Sequence, residues 1–173
     1  MEDDTQPEQN KRVYRRYIEL LNAQDFGSLS EVVDPDRYRE ICVGFTPGWV
    51  NLIDTVTSLK RVLVAIPDLN ARIDDCVAEG DKVYARPTVT GTNSGNFYGV
   101  PATNRPYGVN MFDYATIEDG KIVERTQQSD TLSQMIQTYS GAAKRAGVLA
   151  GGGLASSLIA LMGKRLPSRR TRA

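Results

Sequence analysis

The chain has 173 residues, 40% of them hydrophobic, which is enough apolar side chain for one buried core and too little length for a second large domain. Its 21 basic residues balance 21 acidic ones, and this balance excludes the chain-wide positive field that attracts nucleic acid. The sequence contains no His, so any acid or base chemistry must come from Asp, Glu, Tyr or Lys.

The first part of the chain carries the pattern of helices. Residues 1–9 are acidic and polar, and we predict that they form a disordered tail. Apolar residues then recur at helical spacing or follow a capping residue, which predicts helices at residues 11–24, 25–33 and 52–66. Asp25 is the predicted cap of the second helix, and Pro67 ends the third.

Strands separated by turns follow from residue 69 to 128. One pair of strands is joined through Gly80 and a second pair through Asp119-Gly120, and Asp-Gly between alternating runs indicates a hairpin. A last helix begins near Thr131. The predicted fold class is α+β, with about three N-terminal helices covering one face of a curved antiparallel sheet.

A C-terminal extension at residues 141–173 differs from the rest. Residues 146–163 carry no charge, are flanked by basic pairs, and precede a basic end. Their length approaches that of a membrane span, but five glycines interrupt any helix there. We expect the extension to pack on this or a partner subunit, or to stay mobile, and do not favour membrane contact.

The two cysteines, Cys42 and Cys76, have neither zinc-site spacing nor the pattern of a disulfide framework. The N-terminus lacks the apolar stretch of a signal peptide. We therefore expect a cytoplasmic protein with no metal site.

Several short motifs occur in a characteristic order between residues 67 and 124: PDL, EGDKVYAR, TGT followed by Gly95, GVPATNRP and DGKIVE. Their order and spacing resemble those of the SnoaL-like polyketide cyclases, proteins of the nuclear transport factor 2-like fold, over residues 10–140. The resemblance implies a cone-shaped α+β barrel around an apolar pocket, and a homodimer formed through the sheet faces.

The same resemblance implies a reaction. Studied members close a polyketide ring by aldol condensation, with an aspartate near the end of the last strand as the base and no metal or organic cofactor. Asp130 falls on that aspartate. Asn93 stands where many members have His, Asn104 replaces a Gly, and Thr126 replaces a Trp.

Strand alternation extends the predicted site. It places Thr126, Gln128 and Asp130 on the same face as Ile122, so that all three point into the pocket if Ile122 does. On a neighbouring strand, the same rule aligns Asn93 with the apolar side of KVYARPTVT.

The hairpin register leaves two alternatives. A two-residue loop pairs Asp113 with Thr126 and puts a second carboxylate in the pocket. A three-residue loop with a bulged Gly120 pairs Phe112 with Thr126 and Asn110 with Gln128. We favour the second, because Phe112 would fill the space of the missing Trp.

The leading hypothesis is a cofactor-independent cyclase of lyase or isomerase type for a polyketide-like or other hydrophobic carbonyl substrate. Its base is Asp130, its donors are Asn93, Gln128 and Asn110, and Tyr17 and Trp49 line the cavity.

Two alternatives stay open. One is a cyclase or dehydratase that handles an epoxide or hydroxyl with Asp113 and Asp130. The other is a non-catalytic binding or scaffold protein with the same fold, whose apolar C-terminal extension docks a partner or a membrane surface. For two of the site residues a purely structural interpretation also stays open, in which Asp130 only caps a helix and Asn93 only bonds its own backbone.

Overall fold

A computed structural model describes residues 5–43, 46, 48–97 and 101–145, the last six by their backbone alone. The chain divides into a main unit that ends at Thr138 and a second unit that begins at Tyr139. The described part of the second unit is the end of a helix, and most of the predicted C-terminal extension lies outside the described residues. No helix in the described ranges has the length and apolarity to cross a membrane.

The described residues form three α-helices and one 3-10 turn: α1 (Gln6–Asn22), the 3-10 turn (Ser28–Glu31), α2 (Leu52–Ala65) and α3 (Thr131–Arg145). Helix α1 begins before residue 11, so the prediction of a disordered tail is wrong for residues 6–9. The first helical turn accommodates Pro7, which has no N–H to satisfy there. One turn later the buried Asn10 donates through Nδ2 to Gly80 O at 2.9 Å and ties the helix to a hairpin turn.

In the part of the chain that the structure describes, the sheet has five strands: β1 (Arg39–Val43), β2 (Asn70–Glu79), β3 (Lys82–Thr92), β4 (Pro106–Glu118) and β5 (Lys121–Ser129). Their order is β1-β5-β4-β3-β2, with β1 parallel to β5 and the other pairs antiparallel. The α+β prediction is confirmed, and the sheet is curved but does not close on itself within the described residues. Strand β1 was not predicted, because a short parallel strand at the edge of a sheet has no adjacent hairpin turn that would indicate it in the sequence.

The hydrophobic core lies between α1 and the inner face of the sheet. Tyr14 and Tyr17, one helical turn apart, are buried against strand residues that include Val83, Ala115 and Ile122. As predicted, the alternating residues Val83, Ala85, Pro87 and Val89 of β3 are buried. The inner face of the sheet thus carries the core, and the buried charged side chains of Glu40 and Arg125 lie on the same face.

The β4–β5 hairpin corrects both predicted registers. Its loop is the two-residue Asp119-Gly120, with φ of 51° and 72°, as a type I′ turn requires. A β-bulge follows, because Ile117 pairs with Ile122 but Thr116 pairs with Glu124. The extra residue, Val123, shifts every later pair by one position.

Beyond the bulge, Asp113 faces Gln127 and Phe112 faces Gln128, so neither predicted partner of Thr126 is right. The bulge also reverses the direction of the side chains that follow it in β5. Because one extra residue is inserted, residues predicted to point inward point outward, and the reverse.

The Gly-rich segment between β3 and β4 holds the end of α2. The backbone N–H groups of Ser94 and Gly95 both donate to Ala65 O at 2.9 Å, which satisfies a carbonyl at the helix terminus. A Cβ on Gly95 would lie 2.8 Å from Val64 O. Only glycine therefore allows this approach of loop and helix.

Candidate active site

A cavity of about 220 Å³ lies between α1, α2 and the inner face of the sheet. Much of its wall is apolar, with Leu21, Val62, Ile66, Leu69, Phe97 and Val109 among the lining residues. The polar lining residues from α1, β1 and β5 include Tyr17, Glu40, Cys42, Arg125 and Gln127. An apolar pocket with a few convergent polar groups is the usual form of a small-molecule site.

The pairing of β1 with β5 brings the polar lining residues together. Alternation along β1 turns Glu40 and Cys42 inward, and the parallel register sets Glu40 beside Arg125 and Cys42 beside Gln127. Gln127 Nε2 donates to Cys42 Sγ at 3.0 Å, while burial raises the pKa of the thiol. The bulge at Val123 turns Arg125 inward, so the site depends on this one irregularity.

Arg125 joins two buried carboxylates. Its Nε and Nη2 donate to Asp113 Oδ2 at 3.1 and 2.5 Å, and its Nη1 donates to Glu40 Oε2 at 3.1 Å. Nη1 also donates to the Tyr17 hydroxyl at 3.3 Å. Desolvation by itself would lower the pKa of Arg125, but the facing groups, Asp113 foremost, raise it well above its ordinary value. The guanidinium therefore stays charged.

Two further phenols complete this group, which we call the Arg125 cluster (Tyr14, Tyr17, Tyr38, Glu40, Asp113 and Arg125). Tyr14 donates to Asp113 Oδ2 at 2.5 Å and Tyr38 donates to Glu40 Oε2 at 2.6 Å. Burial raises the pKa of Tyr17 to about 12, and it raises those of Tyr14 and Tyr38 as well. All three phenols are therefore neutral donors at ordinary pH.

The arrangement suits acid–base chemistry at one end of the cavity. Glu40 lines the cavity, only 5% of its surface is exposed, and Tyr38 and Arg125 fix its position. Tyr17 and Arg125 present donors beside it, where electrostatic interactions are stronger than in water. Asp113 lies behind Arg125 and does not line the cavity. Its Oδ1 is buried without a hydrogen-bond partner among the described residues.

Asp130 has a different environment from the one expected of a base. Its side chain is exposed, and its Oδ1 accepts the backbone N–H of Ser133 at 3.0 Å, which makes it the cap of α3. The side chain and backbone of Ser133 lower the pKa of Asp130. The interpretation of Asp130 as a helix cap is confirmed. The expectation that it points into the pocket is wrong, because the bulge at Val123 puts Ser129 there instead.

Four other predicted pocket residues lie outside the cavity lining: Asn110, Phe112, Thr126 and Gln128. Phe112 is 62% exposed, and Asn110 and Gln128 are exposed too. The bulge explains the error for Thr126 and Gln128, whose strand it turns over. The errors for Phe112 and Asn110 have the same origin. The corrected register places Asp113 on the inner face of β4, so that Phe112 and Asn110 lie on the outer face.

Of the remaining predictions, Tyr17 lines the cavity as expected, and Asn93 and Trp49 do not. Asn93 is buried, but its Oδ1 accepts from Thr103 N at 2.8 Å and its Nδ2 donates to Gly95 O at 3.2 Å. Its side chain therefore holds its own loop. Trp49 is 49% exposed and stacks on the guanidinium of Arg39 at 4.9 Å.

Sequence reasoning missed Glu40 and Arg125 as site residues. Each is a charged residue inside a strand, in REICV and KIVERTQQS, and opposite charges within two strands are a usable signal for a buried pair. Within the described residues, no group of three or more His, Cys, Asp or Glu side chains could hold a metal ion.

Solved structures similar to this chain share its fold. IdmH from Streptomyces antibioticus, a candidate polyketide cyclase, is 26% identical, with a TM-score of 0.69 over 75% of this chain and 97% of its own. TsrD from Streptomyces laurentii is also 26% identical, with a TM-score of 0.67 over 78% and 97% of the two chains. An LEH-like epoxide hydrolase from M. tuberculosis, 14% identical, matches over 86% and 100% with a TM-score of 0.62.

A comparison with curated proteins found no match. The family model of the SnoaL-like polyketide cyclases matches residues 11–138, a range that includes every member of the Arg125 cluster. The chain therefore belongs to the SnoaL-like polyketide cyclase family.

Proposed function

We propose that the protein is an acid–base enzyme that closes a ring in a neutral, hydrophobic, polyketide-like carbonyl compound without a cofactor. The observation that carries this proposal is the buried carboxylate of Glu40, which lines an apolar cavity and is held by Tyr38 and Arg125. A carboxylate in such surroundings is positioned to remove a proton from a carbon acid.

The proposed steps use groups that line the cavity. Glu40 removes a proton from the carbon next to a carbonyl, while Tyr17 and Arg125 donate hydrogen bonds to the oxygen that gains charge. The enolate carbon attacks a second carbonyl of the same molecule and forms a carbon–carbon bond. The proton held by Glu40 then passes to the new alkoxide, which restores the carboxylate.

A hydrogen-exchange assay tests the first step without the natural substrate. With benzylacetone as the probe in D2O, we expect the wild-type protein to accelerate exchange of the protons next to the carbonyl. Glu40→Gln should abolish the acceleration. The matched control is Asp130→Asn, which keeps the helix cap and should exchange at the wild-type rate. The opposite outcome, exchange lost in Asp130→Asn and kept in Glu40→Gln, would assign the base to Asp130, as the family resemblance implies.

Epoxide opening is a second candidate, because Arg125 bridges two buried carboxylates. The pair consists of Asp113 and Glu40, in place of the predicted Asp113 and Asp130. In this function Glu40 would activate a water molecule and Arg125 or Tyr17 would donate to the opening oxygen. Hydrolysis of styrene oxide without exchange in benzylacetone would favour this candidate. Binding of either probe without turnover would favour the non-catalytic alternative.

Two further proposals concern the setting of the enzyme. Cys42 and Cys76 are free thiols, which supports a reducing compartment, and we propose the cytoplasm. An exposed aromatic row on the outer face of the sheet, which includes Tyr84 and Phe112, supports a homodimer.

A further inference from the structure

We propose that Thr55, on the inner face of α2, binds a second oxygen of the substrate, so that the substrate carries a hydroxyl or carbonyl apart from the reacting carbonyl. Thr55 lines the cavity, and 9% of its surface is exposed. Its Oγ1 is buried and has no hydrogen-bond partner among the described residues. The inference rests on the proposed use of this cavity as the substrate site.

An unpaired buried hydroxyl is unusual in a helix. A helical Thr can satisfy its hydroxyl by donating to the carbonyl four residues earlier. Thr138 does so in α3, where its Oγ1 donates to Gln134 O at 2.7 Å and 3% of the residue is exposed. In α2 the carbonyl four residues before Thr55 is that of Asn51, but the Thr55 hydroxyl does not donate to it. A hydroxyl left unpaired in a cavity wall costs stability unless a ligand completes it.

The charges around the cavity restrict the substrate further. Glu40 and Arg125 are the charged residues in its described lining. Asp113 and Glu40 together outweigh the guanidinium by one negative charge when all three are ionised. A carboxylate or phosphate would therefore meet repulsion at the polar end, which favours a neutral molecule with two oxygen functions. Since a cavity of about 150 Å³ accommodates benzene, a volume of about 220 Å³ suits one ring with a short side chain.

The first test measures stability without any ligand. Thr55→Val removes the unpaired hydroxyl at nearly constant shape, so the melting temperature should stay equal or rise. The matched control, Thr138→Val, removes a hydroxyl that has a partner and should lower it. If Thr55→Val lowers the melting temperature as much as Thr138→Val does, the hydroxyl has a structural role and the inference is overturned.

The second test measures binding by calorimetry with benzylacetone and its ortho-, meta- and para-hydroxy derivatives. At least one derivative should bind the wild-type protein about fivefold more tightly than benzylacetone, the worth of one neutral hydrogen bond. Thr55→Val should abolish that gain and leave the affinity for benzylacetone unchanged. Thr55→Ser, which keeps a hydroxyl, should retain the gain.

A gain that persists in Thr55→Val would overturn the inference, as would the absence of a gain, or of any binding, in the wild-type protein. Neither test depends on turnover, so they separate this inference from the proposed reaction. If Glu40→Gln exchanges protons at the wild-type rate while the Thr55 results hold, the proposed base is wrong and the binding role of Thr55 stands.

Discussion

Arg125 Nη1 lies 3.1 Å from Glu40 Oε2, across the parallel pairing of β1 with β5. Strand β1 has five residues and sits at the edge of the sheet, so few backbone hydrogen bonds hold it. The contact is therefore both a feature of the candidate site and an anchor for a short strand. A substitution at Arg125 should affect stability as well as activity.

Arg125→Met should lower the free energy of unfolding by about 3–5 kcal/mol, because it leaves Asp113 and Glu40 as uncompensated buried carboxylates. Urea denaturation measures the change. The control is Arg39→Met, which removes the exposed ion pair with Glu124 and should cost less than about 1 kcal/mol. Equal losses in the two variants would show that the buried cluster contributes no more than a surface pair.

Stability should fall steeply in alkali. The pKa of Tyr17 is raised in the folded state, from 10.0 to about 12, and those of Tyr14 and Tyr38 are raised too. Since the folded protein keeps protons that the unfolded chain releases, this contribution is complete below about pH 10 and is lost as the pH rises towards 12. In that window the raised pKa of each phenol should lower the free energy of unfolding by about 1.4 kcal/mol per pH unit.

Urea denaturation between pH 8 and pH 11 measures this slope. Tyr17→Phe should reduce the slope by the contribution of one phenol with a raised pKa. A slope that is the same in wild type and Tyr17→Phe would contradict the prediction.

The sequence predicts most of the fold and only part of the candidate site, and Val123 accounts for much of the difference. Periodicity and turn residues locate α2, the two hairpins and the start of α3, because those signals are local. A bulge is set by how two strands fit together, and residues 121–126 carry no Gly or Pro to mark it. Once that residue is counted, alternation turns Arg125 inward and Thr126 outward, as the structure has them.

Tyr17 illustrates what sequence patterns can and cannot assign. Its helical spacing predicts burial, and it is buried and lines the cavity. Its hydrogen bond from Arg125 joins residues 108 positions apart and depends on tertiary packing. Asn93 shows the converse, since its family position indicates a pocket residue, whereas its hydrogen bonds to Thr103 and Gly95 lie within its own loop.

Gly95→Ala should destabilise the protein by roughly 1–3 kcal/mol, because the added Cβ would lie 2.8 Å from Val64 O and 2.9 Å from the Cα of Ala65. Thermal denaturation measures the loss. Gly27→Ala is the matched control, since its Cβ would lie 3.7 Å from Asp25 Oδ1 with no positive φ, and it should change stability by less than about 1 kcal/mol. A tolerated Gly95→Ala would mean that α2 is not held against this loop.

On the outer face of the sheet, Val77, Tyr84 and Tyr114 form a row across β2, β3 and β4. Val77 is 57% exposed and Tyr84 51%, and Phe112 beside them on β4 is 62% exposed. The rings of Tyr84 and Tyr114 lie 5.0 Å apart. A contiguous apolar patch with aromatic residues marks a protein interface.

We therefore expect a homodimer in which two copies bury this patch about a two-fold axis. Tyr84→Glu places two like charges in such an interface and should yield a monomer by sedimentation velocity at micromolar concentration. Ile53→Glu alters an apolar residue on α2 that is 76% exposed, away from the sheet, and should leave the dimer intact. Since the cavity lies on the opposite face, the monomeric variant should still bind benzylacetone. A dimer that survives Tyr84→Glu would place the interface elsewhere, and a monomeric wild-type protein would contradict the prediction altogether.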